Sequence, residues 1–158
     1  SIDQCFEATE TTLREVYYQL GLQGVYLEGS LLKPNMVLSG KSAANRADAE
    51  EVAEKTITCF NRTVPPAVPG VVFLSGGQSD EEATVNLDAI NRLATKVGSP
   101  WETSFSYGRG LQAAPLKAWS GDPANVEAAK QAYYQRTRLT GAARRGEYSK
   151  ETATVAAD

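Results

Sequence analysis

The chain has 158 residues, 42% of them hydrophobic and 22% charged, which suffices for one ordinary domain with a sizeable core and excludes two large ones. Sixteen Lys and Arg against nineteen Asp and Glu leave a formal charge of -3, so no positive excess is available to hold nucleic acid, and no apolar run approaches the ~20 residues that span a membrane. With no histidine, the chain cannot supply a Ser/His/Asp triad, a His-ligated zinc or a histidine general base, and its chemistry must use Lys, Glu, Asp, Tyr or Arg.

Leu13, Val16, Tyr17 and Leu20 recur at helical spacing and predict a helix that stops at Gly21. Val25 to Leu32 is rich in β-formers and aliphatics and predicts a strand that ends at Lys33-Pro34. Ser39 to Asn45 reads as loop. Ala49, Val52, Ala53, Ile57 and Phe60 define a second amphipathic helix, closed by the proline-rich stretch from Val64 to Gly70. Val71-Val72-Phe73-Leu74 is a short, wholly apolar run, the pattern of a parallel strand covered on both faces.

Ser75-Gly76-Gly77-Gln78 turns the chain, and Ser79 followed by Glu82 has capping-box spacing before a helix carrying Ala83, Leu87 and Ile90. Trp101 to Tyr107 is the third strand, Gly108-Arg109-Gly110 a turn, and Leu111 to Trp119 a short helix weakened by Pro115. Asp122-Pro123 opens a last helix whose stripe of Val126, Ala129 and Tyr133 is expected to be buried. Residues 1–140 therefore read as the folded section, and 141–158, which lack any period, as a mobile tail. Three strand-to-helix units imply a parallel α/β fold. A closed (β/α)8 barrel needs about 250 residues, so the chain is either a small open sheet or part of a larger barrel.

In such folds the loops after the strands build the site. Lys33 closes an apolar strand, and a lysine held among aliphatics loses solvation, which favours the neutral, nucleophilic amine; a lysine that snorkels to solvent has the same pattern. Ser75, Gly76 and Gly77 offer unshielded N–H groups beside a helix N-terminus, suited to phosphate, or are a tight turn that needs glycine. Arg109, between Gly108 and Gly110, is a fork of donors matched to phosphate oxygens, or half of a surface ion pair. Cys5 and Cys59 lack metal-site spacing and read as buried apolar residues in a reducing compartment. The opening residues lack the basic-then-apolar order of a secretory signal.

The segment Tyr26-Leu27-Glu28-Gly29-Ser30-Leu31-Leu32-Lys33-Pro34-Asn35-Met36-Val37 resembles the Schiff-base segment of class I fructose-bisphosphate aldolases. The resemblance continues through residues 62–70, Phe73 to Ser79, Asn86-Leu87, Ala89-Ile90-Asn91 and Phe105-Ser106-Tyr107-Gly108-Arg109, in family order and spacing. It covers the C-terminal part of that family's chain. It implies the C-terminal part of a (β/α)8 barrel, with Lys33 on the sixth strand forming the iminium with dihydroxyacetone phosphate. Ser75, Gly76 and Gly77 match the phosphate loop after strand seven, and Ser106, Tyr107, Gly108 and Arg109 the one after strand eight.

The resemblance also implies a metal-independent lyase with no cofactor, sugar phosphates as substrates, and a homotetramer in the full-length enzyme. The setting would be glycolysis, gluconeogenesis or the Calvin cycle, in the cytoplasm or alternatively a plastid. The family's acid/base glutamate, second lysine and aspartate belong to earlier strands, so this segment alone is expected to be inactive. Glu28 precedes Lys33 by five residues and has opposite strand parity, which makes it a poor partner. Tyr148 does not replace the chain-terminal tyrosine of the animal enzymes, and Gly110 stands where many members have alanine. Two other functions fit the same residues: a non-catalytic module that binds sugar phosphates or a protein, and a related Schiff-base lyase acting on another ketose phosphate.

Overall fold

The computed structural model describes residues 1–149. Helix α1, Ile2–Leu22, starts at a capping box between Ser1 and Gln4 and runs through Gly21, leaving the helix just before Gly24, whose φ is +65°. The strand expected over Val25 to Leu32 shrinks to β1, Leu31–Leu32. Leu27–Gly29 instead forms a 3-10 turn, in which the Leu27 carbonyl accepts from both the amide and the hydroxyl of Ser30. A backbone satisfied locally has no need of a ladder, and among the described residues β1 has no partner on its outer side.

Helix α2 is Ala49–Thr63, capped by Asp48; strand β2 is Gly70–Phe73; helix α3 is Asp80–Val97, with the expected Ser79–Glu82 capping box. Strand β3 is Glu102–Phe105. Helix α4, Arg109–Trp119, begins two residues earlier than its apolar pattern suggests and contains Pro115. After a 3-10 turn at Pro123–Asn125, helix α5 is Val126–Arg144. It passes through Gly141 without a break, and Tyr148 still packs on the core; residues 150–158, half of the expected tail, lie outside the described residues.

The three strands form one parallel sheet in the order β1-β2-β3, with Leu32 opposite Val71 and Val71 opposite Thr103. This α/β layering of three parallel strands and flanking helices is the C-terminal part of a (β/α)8 barrel. One face of the sheet is sealed by helices. Val71 and Phe73 are fully buried there, with Phe60 stacked on Phe73 at 5.9 Å and Trp101 edge-on to Phe60 at 6.5 Å. The other face carries Val72, Leu74, Ser104 and Ser106, all only half-buried, so the apolar β2 run is covered on one side rather than on both.

A second correction concerns α5. Val126 and Tyr133 are exposed, not buried, and with Trp119, Ala129 and Lys130 they line a shallow groove between α4 and α5. The helix buries Leu139, Thr140 and Ala143 instead. Its first half packs on α4, which offers no sheet to cover it.

Among the described residues no helix is long and apolar enough to cross a membrane. Cys59 is buried as expected, while Cys5 is half-buried and accepts from the Leu38 amide at 3.4 Å.

Candidate active site

Parallel pairing aligns the C-terminal ends of the strands, so Lys33, Ser75 and Ser106 begin three loops on one rim of the sheet. The ladder extends past the regular strands: the Leu74 amide donates to the Pro34 carbonyl at 3.0 Å, and the Ser106 amide to the Phe73 carbonyl at 2.8 Å. Continued in this register, Lys33 stands opposite Val72 on the uncovered face. Neighbouring strands are about 5 Å apart, which places the lysine roughly one strand from the Ser75 loop and two from the Ser106 loop.

The expectation that Lys33 is held among aliphatics is not met. Its side chain is exposed, because the face it occupies is the one no helix covers. Glu28 is also exposed and sits in the 3-10 turn, so strand parity does not govern its direction.

Hydrogen bonds tie the three loops into a chain. Asn35, two residues past Lys33, donates from Nδ2 to the Gly76 carbonyl at 3.3 Å and accepts the Met36 amide at 2.9 Å. The Ser75 hydroxyl, buried, accepts the Gly110 amide at 3.3 Å, while the Ser75 carbonyl accepts from the Gln78 amide at 3.3 Å and, weakly, from Arg109 Nη2 at 3.5 Å. A Cβ on Gly110 would lie 3.2 Å from Ser75 and from the Tyr107 ring, tighter than ordinary contact, so glycine here allows the two loops to touch. Gly77 has φ +79°, a conformation L side chains rarely adopt.

Among the described residues, the backbone amides of Gly76, Gly77, Gly108 and Arg109 have no acceptor. Four such donors from two touching loops, two of them at the start of α4, form a partial positive charge where an anion is favoured. The Arg109 guanidinium, on an exposed side chain, adds a full charge. Ser106 has committed its amide to the sheet and keeps its hydroxyl on the uncovered face. Tyr107 points the other way: its buried phenol donates to the Ala83 carbonyl at 2.8 Å. Burial holds that phenol well above its ordinary value, opposed by the Arg136 charge.

Two residues at this rim were not singled out from the sequence. Asn35 sits inside a motif, where an Asn after Pro signals a turn but not its distant partner. Arg136, on α5, donates to the Gly110 carbonyl, the Asp80 carbonyl and the Thr84 hydroxyl, each at 3.0 Å. An arginine in a helix rich in charged residues carries no local signal of such a role. Among the described residues no group of three or more His, Cys, Asp or Glu side chains could hold a metal ion.

The chain is similar to known proteins in sequence and in fold. The non-muscle type fructose-bisphosphate aldolase of Lethenteron camtschaticum is 53% identical over 91% of the chain and 39% of its own length. Fructose-bisphosphate aldolase B of Sparus aurata is 49% identical over 93% of the chain and 40% of its own. The chain thus spans about two fifths of the length of these relatives. A solved structure of fructose-bisphosphate aldolase from Plasmodium falciparum, in complex with TRAP and a small-molecule inhibitor, superposes with a TM-score of 0.90 at 46% identity, covering 94% of this chain and 42% of that one. The family model for class-I fructose-bisphosphate aldolase matches residues 1–158. By this match over its whole length, the chain belongs to the class I fructose-bisphosphate aldolases.

Proposed function

We propose that the chain supplies the Schiff-base lysine and both phosphate loops of an enzyme that reversibly cleaves fructose 1,6-bisphosphate to dihydroxyacetone phosphate and glyceraldehyde 3-phosphate. The observation that carries this is the common rim: Lys33 on the uncovered sheet face, beside two loops whose free amides and Arg109 suit a phosphate. In a closed barrel that face becomes interior, and the lysine then loses part of the solvation it keeps here.

The Lys33 amine attacks the C2 carbonyl of the open-chain ketose, and loss of water gives the iminium. A base removes the proton of the C4 hydroxyl, the C3–C4 bond breaks, and glyceraldehyde 3-phosphate departs. The bond's electron pair passes into the iminium, which becomes a neutral enamine. Protonation at C3 and hydrolysis then release dihydroxyacetone phosphate and restore the amine. Ser75, Gly76 and Gly77 hold one phosphate, with Ser106, Gly108, Arg109 and the Tyr107 backbone beside them, so that binding energy orients C2 toward the amine.

The base and acid are not among these residues, so the chain alone binds sugar phosphate without turning it over. The setting of the complete enzyme is glycolysis, gluconeogenesis or the Calvin cycle, as a homotetramer in the cytoplasm or a plastid.

Joining the chain to the preceding barrel strands of the Lethenteron camtschaticum relative tests this. Borohydride reduction of the chimera with dihydroxyacetone phosphate should place the adduct on Lys33, read by peptide mass mapping. An adduct confined to another lysine, or cleavage by the 158 residues alone, would overturn the assignment.

A further inference from the structure

Arg136 reaches the rim segments from behind, through the backbone at the starts of α3 and α4. It projects from the middle of α5 and spends its guanidinium on the starts of two other helices: Nη2 accepts nothing and donates to the carbonyl of Asp80, the first residue of α3, and to the hydroxyl of Thr84, while Nε donates to the carbonyl of Gly110, the second residue of α4. Thr84 is fully buried and itself donates to the Asp80 carbonyl at 2.8 Å, so its oxygen has a lone pair directed at the arginine. Among the described residues no carboxylate pairs with Arg136. Its guanidinium is thus spent on backbone and hydroxyl oxygens at the starts of α3 and α4, although Asp80, Glu81 and Glu82 stand in the same first turn of α3.

Each of those helices is the continuation of one loop. Asp80 follows Ser75-Gly76-Gly77 by three residues, and Gly110 follows Gly108-Arg109 directly. Fixing Asp80 relative to Gly110 fixes one loop relative to the other. The direct contact between the loops is slight by comparison, consisting of one amide-to-hydroxyl bond at 3.3 Å and one guanidinium contact at 3.5 Å. A planar fork of donors can serve three acceptors on two elements at once, which a lysine ammonium on its flexible stem cannot reproduce.

We infer that Arg136 is a positioning residue that sets the spacing of the two phosphate-binding loops, without touching the phosphate. This rests on the proposed phosphate-binding role of those loops. Docking of α5 itself does not depend on the arginine, since Leu139, Thr140 and Ala143 bury the helix one and two turns further on.

The test is a titration of the 158-residue chain with inorganic phosphate, followed through the backbone amide resonances of Gly76, Gly77, Gly108 and Arg109, with thermal melting in parallel. In the parent chain all four amides should shift together. Arg136→Met should weaken phosphate binding about tenfold, the loss expected when charge-assisted bonds that order the site are removed, and Arg136→Lys should fall between the two. Thr84→Val removes one of the three anchors and should produce the smallest loss. Binding by Arg136→Met within twofold of the parent overturns the inference and leaves the phosphate role of the loops intact. Absence of any shift in the parent overturns both. If Arg136→Met does not fold, Arg136→Lys and Thr84→Val decide: parental affinity in both overturns the positioning role, and a graded loss supports it.

Discussion

Successive residues of β2 belong to two different environments. Val71 and Phe73 are sealed under α2 and α3, against Phe60 and Trp101; Val72 and Leu74, on the same four-residue run, face the uncovered side with Lys33 and Ser106. The covered face is where the chain obtains most of its stability, because side chains are fully removed from water there and only half-removed on the other side. The uncovered face carries the groups with chemistry, held by their rim bonds rather than by burial. Stability and reactivity are separated by the pleat of a strand, whose side chains alternate between the two sides.

The sharpest way to break this contrast is to truncate neighbours on opposite faces. Phe73→Ala should cost about 3–5 kcal/mol, while Val72→Ala, already half-exposed, should cost less than about 1.5 kcal/mol, both read from urea unfolding. Equal losses would mean that the uncovered face is packed in solution.

A smaller difference should appear with pH. Burial pushes the Cys59 thiol, in the core on α2, up from 9.0 to about 11. A thiol that holds its proton more tightly when folded contributes its full share below pH 9 and loses it as pH rises through about 11. Melting temperature should therefore decline across that window, and Cys59→Ala should flatten the decline.

The smallest effect lies where the two faces meet. Ser79→Ala removes the cap of α3 and should cost about 1 kcal/mol, with the change in amide exchange confined to the first turn of α3 and the adjoining Gly76-Gly77 loop.

The same division explains what could be read from the residues alone. The periodic stripes of α2 and α3 were legible because burial on the covered side enforces the pattern, and the β2 run and the Ser79–Glu82 cap because each is set by residues adjacent in sequence. The strand at Val25 to Leu32 was overread: its β-forming residues face no partner strand, and a local turn takes their hydrogen bonds. The stripe of α5 was misjudged for a related reason, since Val126 and Tyr133 line a groove between two helices rather than a core. At the rim, Lys33 and both glycine-containing loops stood out by residue type, but the exposure of the lysine could not, because it depends on which face lacks a cover. Asn35 and Arg136 escaped notice because their partners are 41 and up to 56 residues away in sequence.

The string of bonds from Asn35 to Gly76 and from Gly110 to Ser75 has a practical corollary for protein engineers. None of the three rim segments is an independent module: swapping one for a homologue's version changes the scaffold of the next. Anyone transplanting this pocket into a foreign barrel would have to carry 33–36, 75–80 and 106–110 as a single cassette, together with the distant arginine that braces it from behind.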